Sequence, residues 1–149
     1  MQRNVKVCDS QTLFPQLLSL LSDDIPVPLL ISGSSMSPFL IHGRDTVFLS
    51  PIKNALKVGD ILLYRRDSGD YVVHRICKVT KNGFWLVGDA QTQIEKGIRP
   101  DQALAVVTAV DRKGKRLKKG SFWWFFFEKL WVRMIPLRPL AIRLMASRP

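Results

Sequence analysis

One stretch decides the fold of this chain: Tyr71-Val72-Val73-His74-Arg75-Ile76-Cys77-Lys78-Val79, followed after Thr80 by Lys81-Asn82-Gly83. Its apolar and β-branched residues, bounded by turn residues on both sides, predict a long strand. The Asn-Gly pair suits a hairpin turn that needs positive φ. We therefore expect a β-hairpin in which Phe84 to Val87 forms the return strand.

Further strands are expected on both sides of this hairpin. Short apolar stretches occur at Leu29 to Ser32, Thr46 to Leu49, Asp60 to Arg65 and Ala103 to Val110. Nine Pro and nine Gly among 149 residues favour short elements joined by turns over long helices. The leucine-rich stretch Gln11 to Leu21 follows two good N-cap residues and predicts a short helix.

The order of these elements predicts one mainly β domain, because a chain of this length supports a single modest core. We expect a helical N-terminal segment over residues 1–28 and the β-rich domain over residues 29–118. Residues 119–149 are expected to form a separate, basic and aromatic C-terminal tail. The stretch Asp111 to Gly120 is interpreted as a basic connector between the two.

The cysteines and the N-terminus limit the class of protein. Cys8 and Cys77 are in no Cys-x-x-Cys or Cys/His pattern, so we expect neither a metal site nor a cofactor. Two reduced thiols are favoured over a disulfide, with Cys77 as a small core residue. Met1 to Ser10 lacks the apolar core of a signal peptide, and no stretch approaches the ~18–20 uncharged apolar residues of a membrane span.

Ser35 is the first candidate for chemistry. It lies in Ser32-Gly33-Ser34-Ser35-Met36-Ser37-Pro38, directly after an expected strand. A turn at a strand end can expose a reactive hydroxyl together with nearby backbone N–H groups. Taken alone, however, a serine-rich turn is usually only a turn.

His74 is the second candidate. Strand alternation places it on the same face as Val72 and Ile76, while Arg75 faces the other way. An imidazole on an apolar face is either a hydrogen-bonded core residue or a general base whose pKa is near neutral pH.

Two acidic residues follow the hairpin. Asp89 ends the return strand, which is expected to pair with the strand of His74, and Glu95 lies six residues further on. Either carboxylate could orient the imidazole and stabilise its charged form. The alternative interpretation is a turn-forming aspartate and a solvated glutamate.

Four motifs occur in the order typical of one protease superfamily. Gly33-Ser34-Ser35-Met36-Ser37-Pro38 resembles the Gly-x-Ser-Met-x-Pro box of the signal peptidases and LexA-like proteases. Val58-Gly59-Asp60-Ile61-Leu62 resembles the next box, and Val73-His74-Arg75-Ile76 resembles the box that carries the base. Gly88-Asp89 resembles the closing Gly-Asp box. The base is His in the endoplasmic-reticulum type of signal peptidase and Lys in the bacterial type.

The resemblance implies a coiled, antiparallel, β-barrel-like fold and cleavage of a leader, signal peptide or preprotein after small side chains. It implies that Ser35 is the nucleophile, that His74 is the base, and that Asp89 or Glu95 is the third catalytic residue. The Ser35 backbone N–H would bind the oxyanion. Many relatives add a serine hydroxyl two positions earlier, where this chain has Gly33.

The chain also departs from the family pattern. The first box continues as Pro38-Phe39-Leu40 and then Gly43-Arg44-Asp45, with one residue interposed in the usual Gly-Asp. His42 in this loop is expected to be exposed. The resemblance extends over about Leu29 to Gly114, and the family's usual N-terminal membrane span is not found in the sequence.

The C-terminal tail has an unusual composition. Phe122 to Phe127 are six consecutive aromatic residues, Pro136 and Pro139 interrupt any helix, and residues 111–149 carry a net charge of +9. This pattern is typical of a helix lying in a membrane interface, with aromatic side chains buried and cations facing phosphates. We therefore expect peripheral membrane contact through residues 121–147, on the cytoplasmic face. The alternative is a helix packed on the domain's own apolar surface.

Two other functions compete with a signal-peptidase-like enzyme. A self-cleaving LexA-like regulatory domain is disfavoured by His74 at the base position and by the absence of any Ala-Gly or Cys-Gly pair. A non-enzymatic nucleic-acid-binding module could use the basic stretch from Lys113 to Lys119. Nucleic acid is disfavoured because the aromatic residues are clustered beyond this stretch rather than interleaved with it.

Overall fold

The computed structural model describes residues 10–147, which form eight strands and three short α-helices. The strands are β1 (Val27–Leu30), β2 (Asp45–Ser50), β3 (Ile61–Arg65), β4 (Tyr71–Thr80), β5 (Gly83–Val87), β6 (Glu95–Ile98), β7 (Ala103–Arg112) and β8 (Lys115–Lys118). The α-helices are α1 (Ser10–Leu21), α2 (Phe122–Phe125) and α3 (Arg138–Ala146). Short 3-10 or π-helical turns are found at Pro100–Gln102, Phe126–Leu130, Trp131–Arg133 and Ile135–Leu137.

The central hairpin consists of β4 and β5, as the sequence predicts. Thr80 pairs with Gly83, so the loop is Lys81-Asn82 and the expected Asn-Gly turn is displaced by one residue. Gly83 has a φ of +153°, and a Cβ atom at this position would overlap the carbonyl oxygen of Ile98 in β6. This glycine is therefore required by the close approach of the next strand rather than by the turn.

All eight strands belong to one antiparallel sheet with the order β1-β2-β7-β3-β4-β5-β6, and β8 pairs with β7. The mainly β, antiparallel architecture is confirmed. The sheet is not closed into a barrel, because among the described strands β1 and β6, at the two ends of this order, do not pair with each other. The edge strand β1 contains Pro28, a residue that lacks the N–H needed for a full ladder and is tolerated at sheet edges.

Two strands, β6 and β8, were not expected from the sequence. The polar stretch from Asp111 onward is not a simple connector, because β7 extends to Arg112 and turns back through Lys113 and Gly114 into β8. These two turn residues have φ values of +49° and +79°. Hydrophobic alternation does not reveal β8, because Lys115, Arg116 and Lys118 are exposed.

The two faces of the sheet carry separate apolar clusters. The smaller cluster is built on Leu62, Tyr64, Ile76, Leu86 and Ile98. His74 lies on this face together with Val72 and Ile76, as alternation predicts. Arg75 faces the larger cluster, where its guanidinium lies 5.0 Å from the centre of the Phe39 ring. Adjacent residues of β4 therefore serve different faces of the sheet.

The N-terminal helix covers part of the larger cluster. Phe14, Leu17 and Leu21 of α1 are buried at spacings of three and four residues, which makes one apolar helix face. The ring of Phe14 stacks on that of Tyr71 with 4.3 Å between the ring centres. The predicted helix is thus confirmed, and it packs against the strand that carries His74.

Residues 119–147, here called the C-terminal segment, cover another part of the larger cluster. Its buried side chains are Trp124, Phe127, Trp131, Val132 and Arg138. Its large exposed apolar side chains are Phe122, Trp123, Phe125, Leu130, Leu137, Leu140, Leu144 and Met145. The segment expected to be a separate tail therefore packs on the domain through one face and exposes a second apolar face. No helix within residues 10–147 combines the length and apolarity required to cross a bilayer.

Candidate active site

Ser35 lies in the turn after β1 and is brought against β4 by the fold. Its Oγ is 3.2 Å from Nε2 of His74, which is 39 residues away in the chain. The base of this turn is closed by hydrogen bonds from Ile31 N–H to the Asp45 carbonyl and from Gly43 N–H to the Ile31 carbonyl, both at 2.9 Å. The structure therefore brings together the two residues that sequence reasoning selected as nucleophile and base.

His74 is held in a largely dehydrated position. Only 4% of its surface is exposed, and it pairs with Leu62 of β3. Burial first, and the positive charge of Arg66 second, lower the pKa of His74 to about 4. The imidazole is therefore neutral at pH 7, which is the form able to accept a proton.

The contacts continue from His74 through Tyr64 to Glu95. Nδ1 of His74 lies 3.2 Å from the hydroxyl oxygen of Tyr64, and that hydroxyl donates to Oε2 of Glu95 at 3.0 Å. Arg66 donates from Nε to both oxygens of Glu95, at 2.7 and 3.2 Å. Burial, followed by the charge of Glu95, raises the pKa of Tyr64, so this hydroxyl keeps its proton. Glu95 thus reaches the imidazole through Tyr64.

Asp89 belongs to a different set of contacts. Its carboxylate accepts hydrogen bonds from Nε and Nη2 of Arg75, both at 2.8 Å. Arg75 pairs with Val87 across the hairpin, and Asp89 follows two residues later, on the face of Arg75 rather than that of His74. Within the described part of the chain, Asp89 makes no hydrogen bond with His74. The close approach of these two residues expected from the hairpin is therefore not formed, and Asp89 acts on the imidazole only as a nearby charge that raises its pKa.

The glycine of the closing motif controls the position of Ser35. A Cβ atom on Gly88 would overlap the carbonyl oxygen of Ser35. That carbonyl also accepts a hydrogen bond from Ala90 N–H at 2.9 Å. Residues 88–91, here called the support loop, therefore contact the backbone of Ser35 directly, and only glycine allows this approach.

The C-terminal segment holds the support loop from its other side. Nε1 of Trp131 donates to the Asp89 carbonyl at 2.9 Å. Nη1 of Arg138 donates to the carbonyls of Gly88 at 2.9 Å and Gln91 at 3.0 Å. Arg138 is completely buried, so these hydrogen bonds compensate for the loss of its hydration. The segment that exposes apolar side chains thus also stabilises the loop beneath Ser35.

The motif Gly59-Asp60 also depends on a close approach of two backbones. Gly59 has a φ of +99°, and a Cβ atom there would lie 2.5 Å from Cγ and 2.6 Å from the carbonyl oxygen of Glu128. Asp60, the next residue, forms an ion pair with Lys119 at 2.8 Å. Gly59 and Asp60 therefore contact the C-terminal segment, and among the described residues neither forms a hydrogen bond with the His74 side chain.

Cavities lie on both sides of the Ser35–His74 pair. A cavity of about 400 Å³ next to Ser35 is lined mainly by apolar side chains, including Leu13, Phe14, Leu29, Met36, Tyr71 and Val73. A second cavity of about 610 Å³ next to His74 is polar, with Arg66, Gln91, Thr92, Gln93 and Glu95 in its lining. Ser35 thus borders an apolar cavity, and His74 borders a polar one.

The backbone around Ser35 offers a donor for a developing oxyanion. Within residues 10–147, the Ser35 N–H has no intramolecular acceptor. The Gly33 N–H is already used, because it donates to Nδ1 of His42 at 2.8 Å. His42 is exposed, as expected. Gly33 therefore contributes neither a hydroxyl nor a free N–H at the position where the resemblance to signal peptidases predicts a second oxyanion donor.

Sequence reasoning missed three residues that organise the site. Tyr64 alternates with Leu62 along β3, but its contact with Glu95 depends on a strand pairing that no local pattern encodes. Trp131 and Arg138 lie in the segment interpreted as a tail. Of these two, Arg138 was noted in the sequence, but its spacing among apolar residues suggested a cation facing lipid phosphates. In the structure it is buried and donates to the support loop.

Cys77 and the metal-ligating residue types are the remaining candidates for a site. Cys77 is half-buried, its Sγ donates to the Trp85 carbonyl at 3.4 Å, and burial raises the pKa of its thiol. Cys8 lies outside the described residues, so the expectation of two reduced thiols stays a prediction. Among residues 10–147, no cluster of three or more His, Cys, Asp or Glu side chains could hold a metal ion.

Comparisons with known proteins add no family assignment. No model of a protein family matches this chain, and no curated protein matches it. Its function must therefore be argued from the geometry around Ser35 and His74.

Proposed function

We propose that this protein is a serine endopeptidase that resembles the His-type signal peptidases and cleaves a leader or signal peptide after small residues. The observation that carries the proposal is the 3.2 Å distance between Ser35 Oγ and Nε2 of a buried, neutral His74. Contact between a nucleophile and a base is the arrangement that activates a serine hydroxyl.

In the first half of the reaction, Ser35 Oγ attacks the carbonyl carbon of the scissile peptide bond, and His74 Nε2 accepts the hydroxyl proton. The negative charge on the substrate oxygen is stabilised by the Ser35 backbone N–H. The imidazolium then transfers the proton to the leaving nitrogen as the C–N bond breaks. An acyl-enzyme and a free amine result.

In the second half, water attacks the ester carbonyl while His74 again accepts a proton. The proton returns to Ser35 Oγ as the ester C–O bond breaks, and a peptide with a free carboxylate leaves. The two cavities support a peptide that crosses the pair, with its acyl side in the apolar cavity next to Ser35. Its leaving side would then lie in the polar cavity next to His74.

Peripheral association with a membrane is part of the same proposal. The exposed face of the C-terminal segment includes Phe122, Trp123 and Phe125, whose exposed fractions are 73%, 53% and 52%. Exposed cations accompany them at Lys129, Arg133 and Arg143. Exposed aromatic side chains next to cations favour the interface of an anionic bilayer.

Labelling with a fluorophosphonate probe tests the nucleophile. Wild-type protein should be labelled, Ser35→Ala and His74→Ala should not, and Ser34→Ala should be labelled like wild type because Ser34 is the exposed neighbour. Mass spectrometry of the labelled peptide then identifies the modified serine. Undiminished labelling of Ser35→Ala would rule out the mechanism.

Cleavage assays separate a peptidase that acts on other chains from a self-cleaving domain. A peptide with small residues before the scissile bond should be cleaved by wild type and not by Ser35→Ala or His74→Ala. The intact mass of the enzyme should stay constant during prolonged incubation. A loss of mass that depends on Ser35 would instead support the LexA-like alternative.

Sedimentation with vesicles tests the membrane contact. Binding should be stronger to vesicles that contain phosphatidylglycerol than to pure phosphatidylcholine, and it should weaken with salt. Replacing Phe122, Trp123 and Phe125 by Ser should release the protein, whereas Val79→Ser, which alters an exposed apolar residue on β4, should not. Equal binding of the triple variant and wild type would contradict this part of the proposal.

A further inference from the structure

A buried tyrosine hydroxyl separates the imidazole from the nearest hydrogen-bonded carboxylate in this site. Tyr64 has no exposed surface, and its hydroxyl lies 3.2 Å from His74 Nδ1 and 3.0 Å from Glu95 Oε2. A chain of contacts thus runs from Ser35 through His74 and Tyr64 to Glu95. The direct contact between histidine and carboxylate seen in a Ser-His-Asp triad is absent among the described residues.

The number of available protons decides the direction of each hydrogen bond. A tyrosine hydroxyl has one proton, and an ionised carboxylate can only accept. The Tyr64 proton therefore points to Glu95, and the hydroxyl oxygen must accept from the other side. Its partner there is His74 Nδ1, which must carry a proton, so Nε2 of the neutral ring is the bare nitrogen that faces Ser35.

We propose that Tyr64 is the positioning residue that fixes the reactive tautomer of His74, and that Glu95 acts on the imidazole through Tyr64. This inference rests on the proposed function, because it assigns how the base of that reaction is oriented. It assigns Glu95 rather than Asp89 as the acid that supports the base. Asp89 is the partner of Arg75 and has no hydrogen bond to the ring.

Arg66 completes the arrangement by orienting Glu95. Its Nε lies within hydrogen-bond distance of both carboxylate oxygens, which fixes the carboxylate with its Oε2 directed at Tyr64. Burial keeps the tyrosine protonated, so the hydroxyl remains a donor to Glu95 throughout the neutral range. The tautomer is therefore determined by a hydroxyl that keeps its proton near pH 7 and by a carboxylate that Arg66 holds in place.

The charged and titratable groups around His74 come from β3 and the residue after it, from β6 and from the support loop, whereas β5 contributes none. Tyr64 belongs to β3, Arg66 follows it, Glu95 begins β6 and Asp89 lies in the support loop. Among these groups only Tyr64 contacts Nδ1. A change at this one hydroxyl should thus alter the tautomer without removing a charge from the site.

Tyr64→Phe is the direct test, and Thr108→Val is the control, because it removes a hydroxyl of β7 whose partners are Ser50 and the Phe48 carbonyl rather than His74. In wild type, ¹⁵N NMR of His74 should show a protonated Nδ1 and a bare Nε2. Tyr64→Phe should give a mixture of tautomers and lower kcat by about 10- to 100-fold with little change in KM. Thr108→Val should change neither quantity.

A pair of substitutions at Glu95 provides an independent test. Glu95→Gln keeps an acceptor for the Tyr64 proton and should keep the wild-type tautomer. Glu95→Leu removes the acceptor, so the Tyr64 hydroxyl should turn and donate to Nδ1. The proton of the ring then moves to Nε2, which can no longer accept from Ser35, and activity should be lost.

The outcomes separate this inference from the proposed function. A wild-type tautomer with wild-type kcat in Tyr64→Phe would overturn the role of Tyr64, even if Ser35 is confirmed as the nucleophile. A protein that neither labels at Ser35 nor cleaves peptides would overturn the proposed function, and the NMR measurement would still decide whether Tyr64 sets the tautomer. A role in stability alone predicts a lower unfolding free energy in Tyr64→Phe with an unchanged tautomer.

Discussion

Arg75 and Asp89 form a bidentate ion pair in which neither side chain has any exposed surface. The pair joins β4 to the support loop on the face of the sheet opposite to His74. Arg75 also donates to the Gly59 carbonyl at 2.8 Å, so it connects the two Gly-Asp motifs. Two adjacent residues of β4 thus have different contacts. His74 contacts Ser35 in the candidate site, and Arg75 binds the two Gly-Asp motifs on the other face of the sheet.

Removing one partner of this pair should destabilise the protein strongly. Asp89→Asn leaves the buried Arg75 charge without its counter-ion, which typically costs about 3–5 kcal/mol of unfolding free energy. Urea unfolding measures this loss. Asp111→Asn is the control, because it breaks an exposed pair with Arg116 and should have a much smaller effect.

A double substitution, Arg75→Met with Asp89→Leu, should recover part of the stability, because it removes both buried charges together. The opposite pattern, full stability in Asp89→Asn with complete loss of activity, would instead identify Asp89 as the acid that assists His74.

A methyl group on Gly88 should displace Ser35. Gly88→Ala places a Cβ atom against the Ser35 carbonyl, and the support loop must move away from the turn to relieve the overlap. We expect the rate of Ser35 labelling to fall by at least about tenfold, since small displacements of reacting groups have large kinetic effects.

Gly114→Ala is the control for this experiment. Its φ of +79° makes alanine strained, but nothing lies within 4 Å of the added Cβ atom. We expect a stability loss of about 1 kcal/mol and an unchanged labelling rate. An unchanged rate in Gly88→Ala as well would show that the support loop does not position Ser35.

The buried imidazole should make the stability of the protein depend on pH. The pKa of His74 falls from 6.5 in the unfolded chain to about 4 in the folded one, so the unfolded state binds more protons between these values. Stability is therefore complete above about pH 6.5 and decreases as the pH falls toward 4. By proton linkage, the loss between pH 7 and pH 5 is about 2 kcal/mol.

Urea unfolding of wild type and His74→Gln at pH 7 and pH 5 isolates this contribution, because the carboxylates titrate in both proteins. The difference between the two proteins should change by about 2 kcal/mol between these pH values. If both proteins show the same pH dependence, His74 is not held in the neutral, buried state.

The C-terminal segment should influence the site through Trp131. Trp131→Phe keeps an aromatic ring in the core but removes the donor to the Asp89 carbonyl, which leaves a buried acceptor unsatisfied. The expected loss is about 1–3 kcal/mol, together with faster hydrogen exchange at Ala90 N–H.

Trp123→Phe is the matched control, because Trp123 lies in the same segment with its ring exposed. It should leave stability and the exchange rate of Ala90 unchanged. Equal effects of the two substitutions would indicate that the segment acts on the domain only through general packing.

Local sequence patterns predicted most of the strands and the division of β4 into two faces. Alternation is a property of neighbouring residues, so it placed His74 with Val72 and Ile76 without knowledge of the fold. The same patterns missed β6 and β8, which are short and polar. The resemblance of the motifs to those of signal peptidases suggested a barrel-like closure that the open sheet lacks. The extent of strand pairing depends on contacts that local patterns do not contain.

The sequence alone determined the candidate pair, since the order of the motifs singled out Ser35 and His74. It left Asp89 and Glu95 as equal alternatives for the supporting acid. Only the tertiary structure shows that their contacts differ, because Tyr64 contacts residues 10 and 31 positions away through the pairing of separate strands, whereas Asp89 pairs with Arg75. It also turned the expected tail into a support for the site, since packing against the sheet, rather than composition, decides which of its aromatic side chains are buried.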